Sequence, residues 1–182
     1  MDVIGLSGRI GTGKDYIAKE YFFSRGYKQF SLAWHFKVWI IGKGEATYDD
    51  VFRIKSANIR HLLQQEGTEM GRMIYGEDVW VDTMFAWMKT LHDYWNIDKF
   101  IVPDVRFVNE VEAIKRHGGR VFRIVAPERD RKSGATPEAR AHPSETSLDA
   151  YPLEDYDGLI YNDLKDKDTI TNQIKRLLGE DV

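Results

Sequence analysis

The stretch Val3-Ile4-Gly5-Leu6-Ser7-Gly8-Arg9-Ile10-Gly11-Thr12-Gly13-Lys14-Asp15 decides how the whole chain is interpreted. Its apolar start predicts a strand over 3–6, and the pattern after it predicts a helix over 15–24. Between the two lies the motif G-x-x-x-x-G-K, which is meaningful where a strand, a glycine-rich loop and a helix follow one another. The N–H groups of such a loop and the positive end of the helix suit a polyphosphate, whose outer phosphates Lys14 can bridge. The alternative is a flexible turn that happens to contain a lysine.

One position departs from the usual form of this motif. Asp15 stands where serine or threonine normally supplies a hydroxyl group to Mg²⁺. A carboxylate is also a good ligand for a hard cation, either directly or through water. We therefore expect Asp15 to help to hold Mg²⁺.

Short apolar runs alternate with longer helical patterns along the rest of the chain. Further strands are predicted over 27–32, 100–102, 120–125 and 159–161. Further helices are predicted over 33–41, 56–73, 79–94, 109–117 and 168–178. Strands that alternate with helices pair in parallel through right-handed crossovers, so the sequence predicts a three-layer α/β sandwich around a five-stranded parallel sheet. Ligands of such sheets bind at the carboxyl ends of the strands.

Composition excludes several classes of protein. The 182 residues are 42% hydrophobic, which suits one compact domain over 1–182. The absence of cysteine excludes disulfides, zinc–thiolate sites, iron–sulfur clusters and thiol catalysis, and it fits a reducing cytoplasm. A formal net charge of −3 argues against binding to a nucleic-acid polymer or an anionic membrane. No run approaches the roughly 20 apolar residues of a membrane span, and the N-terminus does not resemble a signal peptide.

The stretch Val102–Glu110 supplies a second group of polar candidates. Asp104 follows a predicted strand and is expected at the same edge of the sheet as the glycine-rich loop. There it can hold Mg²⁺ through water or take a proton from an acceptor, and Arg106 can bind a phosphate. The alternative is a local ion pair between Asp104 and Arg106 that caps the next helix.

The helix predicted over 56–73 offers a candidate acceptor site. Its polar residues recur at every fourth position on one face: Arg60, Gln64, Thr68 and Arg72. The two arginines suit a monophosphate, and the amide of Gln64 suits the edge of a base. The alternative is that this face of the helix is simply exposed to solvent and binds nothing. Trp34 and Trp80 are candidates for stacking on a base, or else core residues.

Residues 127–143 are rich in charge and have almost nothing to bury, so they are predicted to form a mobile excursion. Arg129, Arg131 and Arg140 lie within it. Phosphoryl transfer needs arginines to neutralise charge and a lid to exclude water, so this segment favours a kinase of small molecules; a solvated charged loop is the alternative. A GTPase is disfavoured because the chain lacks an Asn-Lys-x-Asp guanine motif.

Taken in order, these motifs resemble the deoxynucleoside monophosphate kinases of tailed bacteriophages, within the P-loop nucleoside monophosphate kinase group. That family commonly has aspartate after the loop lysine, as in Gly13-Lys14-Asp15 here. The other matching motifs are Leu63-Gln64 with Gly67-Thr68 and Arg72, Val79-Trp80-Val81, Asp104-Val105-Arg106-Phe107 with Asn109-Glu110 and Glu112, the segment 127–143, His142-Pro143-Ser144-Glu145, and Tyr161-Asn162.

The resemblance implies transfer of the γ-phosphate of ATP, with Mg²⁺, to a deoxynucleoside 5′-monophosphate. It implies a helical acceptor-binding region at about 33–95, a lid at about 127–143 and a homodimer in the host cytoplasm. Residues implied to hold ATP are Gly8, Arg9, Gly11, Thr12, Gly13, Lys14 and Asp15, with Arg129 and Arg131 in the lid and Asn162 near the adenine. Candidates for binding the acceptor phosphate are Lys37, Arg60, Arg72 and Arg106. Candidates for binding its sugar or base are Gln64, Trp80 and Glu145. Asp104 is a further candidate for binding the acceptor. Catalysis falls to Lys14, Arg106, Arg129 and Arg131, and it is mostly alignment and charge neutralisation.

Two other kinases share the loop, sheet and lid, one for dephospho-coenzyme A and one of the phosphomevalonate type. A third alternative from a different class is a nucleotide-binding module or ATPase switch that acts through a partner. The sequence does not reveal which bases are accepted, or whether deoxyribose and ribose are distinguished.

Overall fold

The computed structural model describes residues 1–54, 56–65, 71–132, 136–163 and 166–180, apart from the side chains at positions 57, 60, 64, 131 and 139. The strands are β1 Asp2–Ser7, β2 Lys28–Gln29, β3 Lys99–Val105, β4 Arg120–Val125 and β5 Gly158–Tyr161. All of them pair in parallel, in the order β2-β3-β1-β4-β5. The predicted five-stranded parallel sheet is therefore confirmed.

Helices account for most of the remaining chain. In chain order they are α1 Lys14–Ile17, α2 Trp34–Gly42, α3 Ala57–Gln64, α4 Gly71–Tyr75, α5 Val79–Trp95, α6 Val108–Arg116, α7 Pro127–Arg131, α8 Pro137–Ala141, α9 Pro143–Thr146 and α10 Lys167–Leu178. Two π-helical turns lie at Ala18–Phe22 and Asp50–Ile54, and two 3₁₀ turns at Phe23–Arg25 and Leu153–Asp155. No helix within the described part of the chain is long and apolar enough to cross a membrane.

The chain divides into two compact units, one of residues 1–29 with 97–182 and one of residues 30–96. The first unit contains the sheet, α1 and α6 to α10. The second unit contains α2 to α5, and the helical region predicted at about 33–95 falls within it.

The middle strand of the sheet is β1, which lies between β3 and β4. Its residues Val3, Ile4 and Leu6 are almost fully buried. A strand that has parallel neighbours on both sides and is covered on both faces is apolar along nearly its whole length. This is why β1 could be predicted as a strand from its sequence. Because all strands run in one direction, the carboxyl ends of β1, β3 and β4 share one edge of the sheet.

The core of the first unit joins the strands to the helices that cover them. Its strand residues include Ile4, Leu6, Ile101, Phe122 and Ile160, and its helical residues include Ile17, Phe22, Ile170 and Ile174. The spacing of four between Ile170 and Ile174 puts both on one face of α10. This helix begins where the Asp166 carboxylate accepts hydrogen bonds from the N–H groups of Asp168 and Thr169, at 3.0 and 3.2 Å.

Two predicted elements differ from the observed ones. The strand predicted over 27–32 is only Lys28–Gln29, because β2 is an edge strand that pairs with β3 alone and the chain enters the second unit at Phe30. Trp34 consequently begins α2. The helix predicted over 56–73 corresponds to α3 and α4, and residues 66–70, including Thr68, lie outside the described residues.

The segment predicted as an excursion over 127–143 contains two short helices, α7 and α8, and α9 begins at its last residue. Pro127, Pro137 and Pro143 are the first residues of these three helices. The fixed φ of proline suits the first helical position, where no intrahelical N–H bond is lost. The three prolines therefore indicated where helices begin, and the prediction of a mobile segment did not use them.

Replacing Gly5 with alanine is expected to destabilise the first unit by about 1–3 kcal/mol through overpacking. A Cβ at this position would lie 2.9 Å from Val105 Cγ2 and 3.0 Å from Ile114 Cδ1. Gly42→Ala is the matched control, because no atom lies within 4 Å of its added Cβ and the residue is helical. Urea unfolding measures both variants, and a Gly5→Ala free energy of unfolding within about 0.5 kcal/mol of the wild-type value would contradict the packing described here.

Candidate active site

The loop between β1 and α1 is fixed by a side chain from the end of β5. Gly13 has φ +91°, and a Cβ there would lie 2.5 Å from Asn162 Nδ2. The same amide nitrogen donates a hydrogen bond to the Thr12 carbonyl oxygen at 2.8 Å. Asn162 is fully buried. Both the left-handed backbone and this close approach require glycine at position 13.

The first half of the loop is a hydrogen-bonded turn. The Thr12 hydroxyl and the Thr12 N–H both donate to the Arg9 carbonyl, at 2.8 and 3.3 Å. Gly11 lies within this turn with φ +83°. The hydroxyl of Thr12 is thus used inside the loop and holds its first turn.

The Lys14 ammonium group lies over the loop. It donates to the carbonyl oxygens of Gly8 and Arg9 at 2.5 and 3.0 Å. Burial, and after it the positive charge of Arg106, lowers the pKa of Lys14 to about 8. Since an anion placed here would relieve both effects, the site favours a negatively charged ligand such as a polyphosphate.

Two arginines from the sheet region lie close enough to Lys14 to act on its charge. Arg106 follows β3, and its guanidinium group forms an ion pair with Glu145 and donates to Ser144 Oγ at 3.3 Å. Arg123 lies within β4 and donates to Ser7 Oγ at 2.8 Å. Both arginines lower the pKa of Lys14, so the three cations act on one place.

A carboxylate already binds to this loop. The N–H of Ile10 donates to Glu145 Oε2 at 2.8 Å, and Glu145 also raises the pKa of Lys14. This contact shows that a backbone N–H of the loop can bind an anionic group.

The backbone around Arg106 is held by the helix that follows it. The Glu110 carboxylate accepts hydrogen bonds from the N–H groups of Arg106 and Phe107, at 2.7 and 3.1 Å. Asp104 belongs to β3, so the carboxylate that caps α6 is that of Glu110. Both roles predicted for Asp104, toward Mg²⁺ and in an ion pair with Arg106, stay predictions.

Asp15 lies in the first turn of α1, directly after Lys14. Within the described residues, no three histidine, aspartate or glutamate side chains gather as a metal site. Mg²⁺ in phosphate-transfer sites is usually held by one or two carboxylates together with substrate phosphates. Asp15 and Asp104 fit that requirement by their chemistry.

The segment predicted as a lid is anchored to the residue after Asn162. The Asp163 carboxylate accepts from the N–H groups of Glu128 and Arg129, at 3.1 and 3.2 Å. A Cβ at Gly13 would lie 3.9 Å from Arg129 Nη1, so this guanidinium lies beside the loop. Arg140 pairs with Asp130 at 2.6 Å. The side chain of Arg131 lies outside the described residues.

The remaining acceptor candidates belong to the second unit. The Lys37 ammonium lies 5.1 Å from the centre of the Phe52 ring. Trp80 packs against Phe36 with ring centres 5.4 Å apart. Arg72 lies on α4, and the side chains of Arg60 and Gln64 on α3 lie outside the described residues.

Sequence reasoning missed Arg123, Asp149 and Asp163. Arg123 had a signal, because it is a charged residue between the buried apolar residues Phe122 and Ile124 of β4. Asp149 pairs with Arg9, a loop residue predicted to hold ATP, and only the tertiary fold brings the two together. Asp163 follows the predicted Asn162 directly, but nothing in the sequence indicates that it accepts from the lid backbone.

The affinity for ATP, measured without an acceptor, is expected to fall as the pH rises through about 8, where Lys14 loses its proton. The fall can reach about tenfold per pH unit, the limit for one linked proton. Lys14→Arg is the matched control, because arginine keeps its charge throughout this range. Calorimetric titrations between pH 7 and 9.5 measure both proteins, and equal pH dependence in the two would exclude Lys14 as the titrating group.

Comparison with solved structures supports the observed architecture. TT1252 from Thermus thermophilus is 18% identical, with 98% of this chain and 96% of that one covered and a TM-score of 0.60. A dephospho-CoA kinase from Campylobacter jejuni is 18% identical, with 97% and 96% covered and a TM-score of 0.51. No protein-family model matches the chain, and no curated protein matches it. At these identities the likeness shows the fold alone: an α/β fold that is found in a kinase.

Proposed function

We propose that the chain is a kinase that transfers the γ-phosphate of ATP to deoxynucleoside 5′-monophosphates and yields the diphosphates. The observation that carries the proposal is the gathering of cations at one loop, with Lys14 over it, Arg106 reaching it through Glu145, and Arg129 beside Gly13. Phosphoryl transfer depends on this kind of positioning and charge neutralisation. The monophosphate acceptor rests on the family resemblance of the motifs.

The proposed reaction makes one bond and breaks one. An oxygen of the acceptor phosphate attacks the γ-phosphorus, the bond to the β–γ bridging oxygen breaks, and ADP leaves with that oxygen. The attacking oxygen is ionised at pH 7, so no strong general base is required. The loop N–H groups and Lys14 hold the donor phosphates, Arg129 and Arg131 cover them, and Arg106 binds the acceptor phosphate.

Mg²⁺ supplies further neutralisation of the donor phosphates when it is bound, and Asp15 and Asp104 would hold it directly or through water. Asn162 is assigned to the neighbourhood of the adenine, and its burial against Thr12 adds a role in holding the loop. A cytoplasmic location, where ATP is abundant, belongs to the same proposal.

The second unit is proposed to bind the acceptor. Lys37, Arg60 and Arg72 provide positive charge for its phosphate, and Gln64 and Trp80 are assigned to the sugar or base. The contact of Trp80 with Phe36 supports this assignment in part, since an indole inside an aromatic cluster is held rigidly enough to stack on a base.

A panel of acceptors with ATP and Mg²⁺ tests the proposal. The four deoxynucleoside monophosphates and their ribose counterparts are compared with dephospho-coenzyme A and phosphomevalonate, and the phosphorylated form of each acceptor is measured. We expect product from at least one deoxynucleoside monophosphate. If only dephospho-coenzyme A or phosphomevalonate is phosphorylated, the proposed acceptor is wrong. If ATP is hydrolysed without any acceptor and no acceptor is phosphorylated, the chain is an ATPase switch.

Replacing Lys14 with alanine is expected to lower kcat by more than about tenfold, a deficit above roughly 1.4 kcal/mol, because the ammonium neutralises charge that develops during transfer. Lys19→Ala is the matched control, since Lys19 is an exposed lysine in the helical segment that follows the loop. Steady-state kinetics measure both variants. A Lys14→Ala enzyme that keeps more than about a tenth of the wild-type kcat contradicts the mechanism.

A further inference from the structure

Two residues that follow the segment predicted as a lid, Glu145 and Asp149, form hydrogen bonds with the loop between β1 and α1. Glu145 Oε2 accepts from the Ile10 N–H at 2.8 Å, and Asp149 Oδ1 accepts from Arg9 Nε at 3.1 Å. The pair of Arg9 and Asp149 is exposed over more than a third of each side chain, so it contributes little. The Glu145 side chain is only 6% exposed, so its contact is the substantial one.

The second carboxylate oxygen of Glu145 holds Arg106. The guanidinium group donates to Glu145 Oε1 and, through the same Nη1 atom, to Ser144 Oγ at 3.3 Å. Ser144 is itself oriented by a hydrogen bond with His142 Nδ1 at 2.8 Å. One buried carboxylate therefore joins the loop backbone to the arginine that follows β3, and a charge-assisted pair of this kind fixes direction as well as distance.

Glu145 also places a negative charge among the cations of the loop, because it pairs with Arg106 and lies close enough to the Lys14 ammonium to act on it.

We infer that Glu145 is a positioning residue that sets Arg106 toward the acceptor phosphate and fixes the first turn of the loop, rather than a direct ligand of the sugar or base. The inference rests on the proposed function. It follows from the two oxygen contacts, since both oxygens of a nearly buried carboxylate are engaged by the protein itself.

The test compares Glu145→Gln with Glu154→Gln, an exposed glutamate on the 3₁₀ turn before β5. Glutamine keeps an acceptor for the Ile10 N–H but removes the ion pair with Arg106. We expect Glu145→Gln to lower kcat/KM for the monophosphate at least about tenfold, the usual effect of losing a charge-assisted hydrogen bond, and to change KM for ATP less than about threefold. Glu154→Gln should match the wild type.

A second readout needs no phosphoryl transfer. Calorimetric titration with the deoxynucleoside monophosphate that the wild type binds best should show an affinity at least about tenfold weaker in Glu145→Gln, whereas the affinity for a non-hydrolysable ATP analogue should change less than about threefold. Glu145→Asp keeps the charge but shortens the side chain, so it should also lower kcat/KM, and it serves if the glutamine variant does not fold.

An acceptor kcat/KM within about twofold of wild type in Glu145→Gln, or an analogue affinity that falls as much as the monophosphate affinity, would overturn the inference. If wild-type protein binds a monophosphate but forms no diphosphate, the proposed function fails, whereas the comparison of the two affinities in Glu145→Gln still tests the position of Arg106.

Discussion

The close approach of Asn162 to the loop between β1 and α1 is the constraint on which the site depends. The amide nitrogen bonds to Thr12 and leaves no room for a Cβ at Gly13, so the end of β5 fixes the loop that follows β1. The next residue, Asp163, holds the backbone of α7 and so brings Arg129 to the same loop. Two consecutive residues thus connect the loop and the lid, although the loop and β5 are far apart in sequence.

Electrostatics at the loop follow from this geometry. Arg106 and Arg123 act on the Lys14 ammonium, and the lowered pKa of Lys14 reflects its burial first and then their repulsion. Glu145 supplies one negative charge to this place from within the chain. The function we propose uses the remaining positive charge, because a triphosphate would add the anionic oxygens that Lys14 and the loop N–H groups not bound by Glu145 can bind.

The fold was predictable because the apolar strands and the glycine-rich loop leave local signals. Val3–Leu6 is apolar throughout since β1 is buried in the middle of the sheet, whereas β2 was overestimated because an edge strand can end wherever the chain turns away. Lys14, Arg106 and Arg129 could be selected by residue type and position. The hydrogen bond between the Ile10 N–H and Glu145 could not be predicted, since the two residues lie 135 positions apart and only the folded chain brings them together.

The most direct test of the account measures binding at the loop itself. A non-hydrolysable ATP analogue with Mg²⁺ is titrated into wild-type protein and into Gly13→Ala, in which the added Cβ would collide with Asn162 Nδ2. The account predicts one analogue bound per wild-type chain, and an affinity at least about tenfold weaker for a Gly13→Ala protein with unchanged helix content, since both left-handed strain and the collision distort the loop. Equal affinity in the two proteins, or no binding by the wild type, would contradict it.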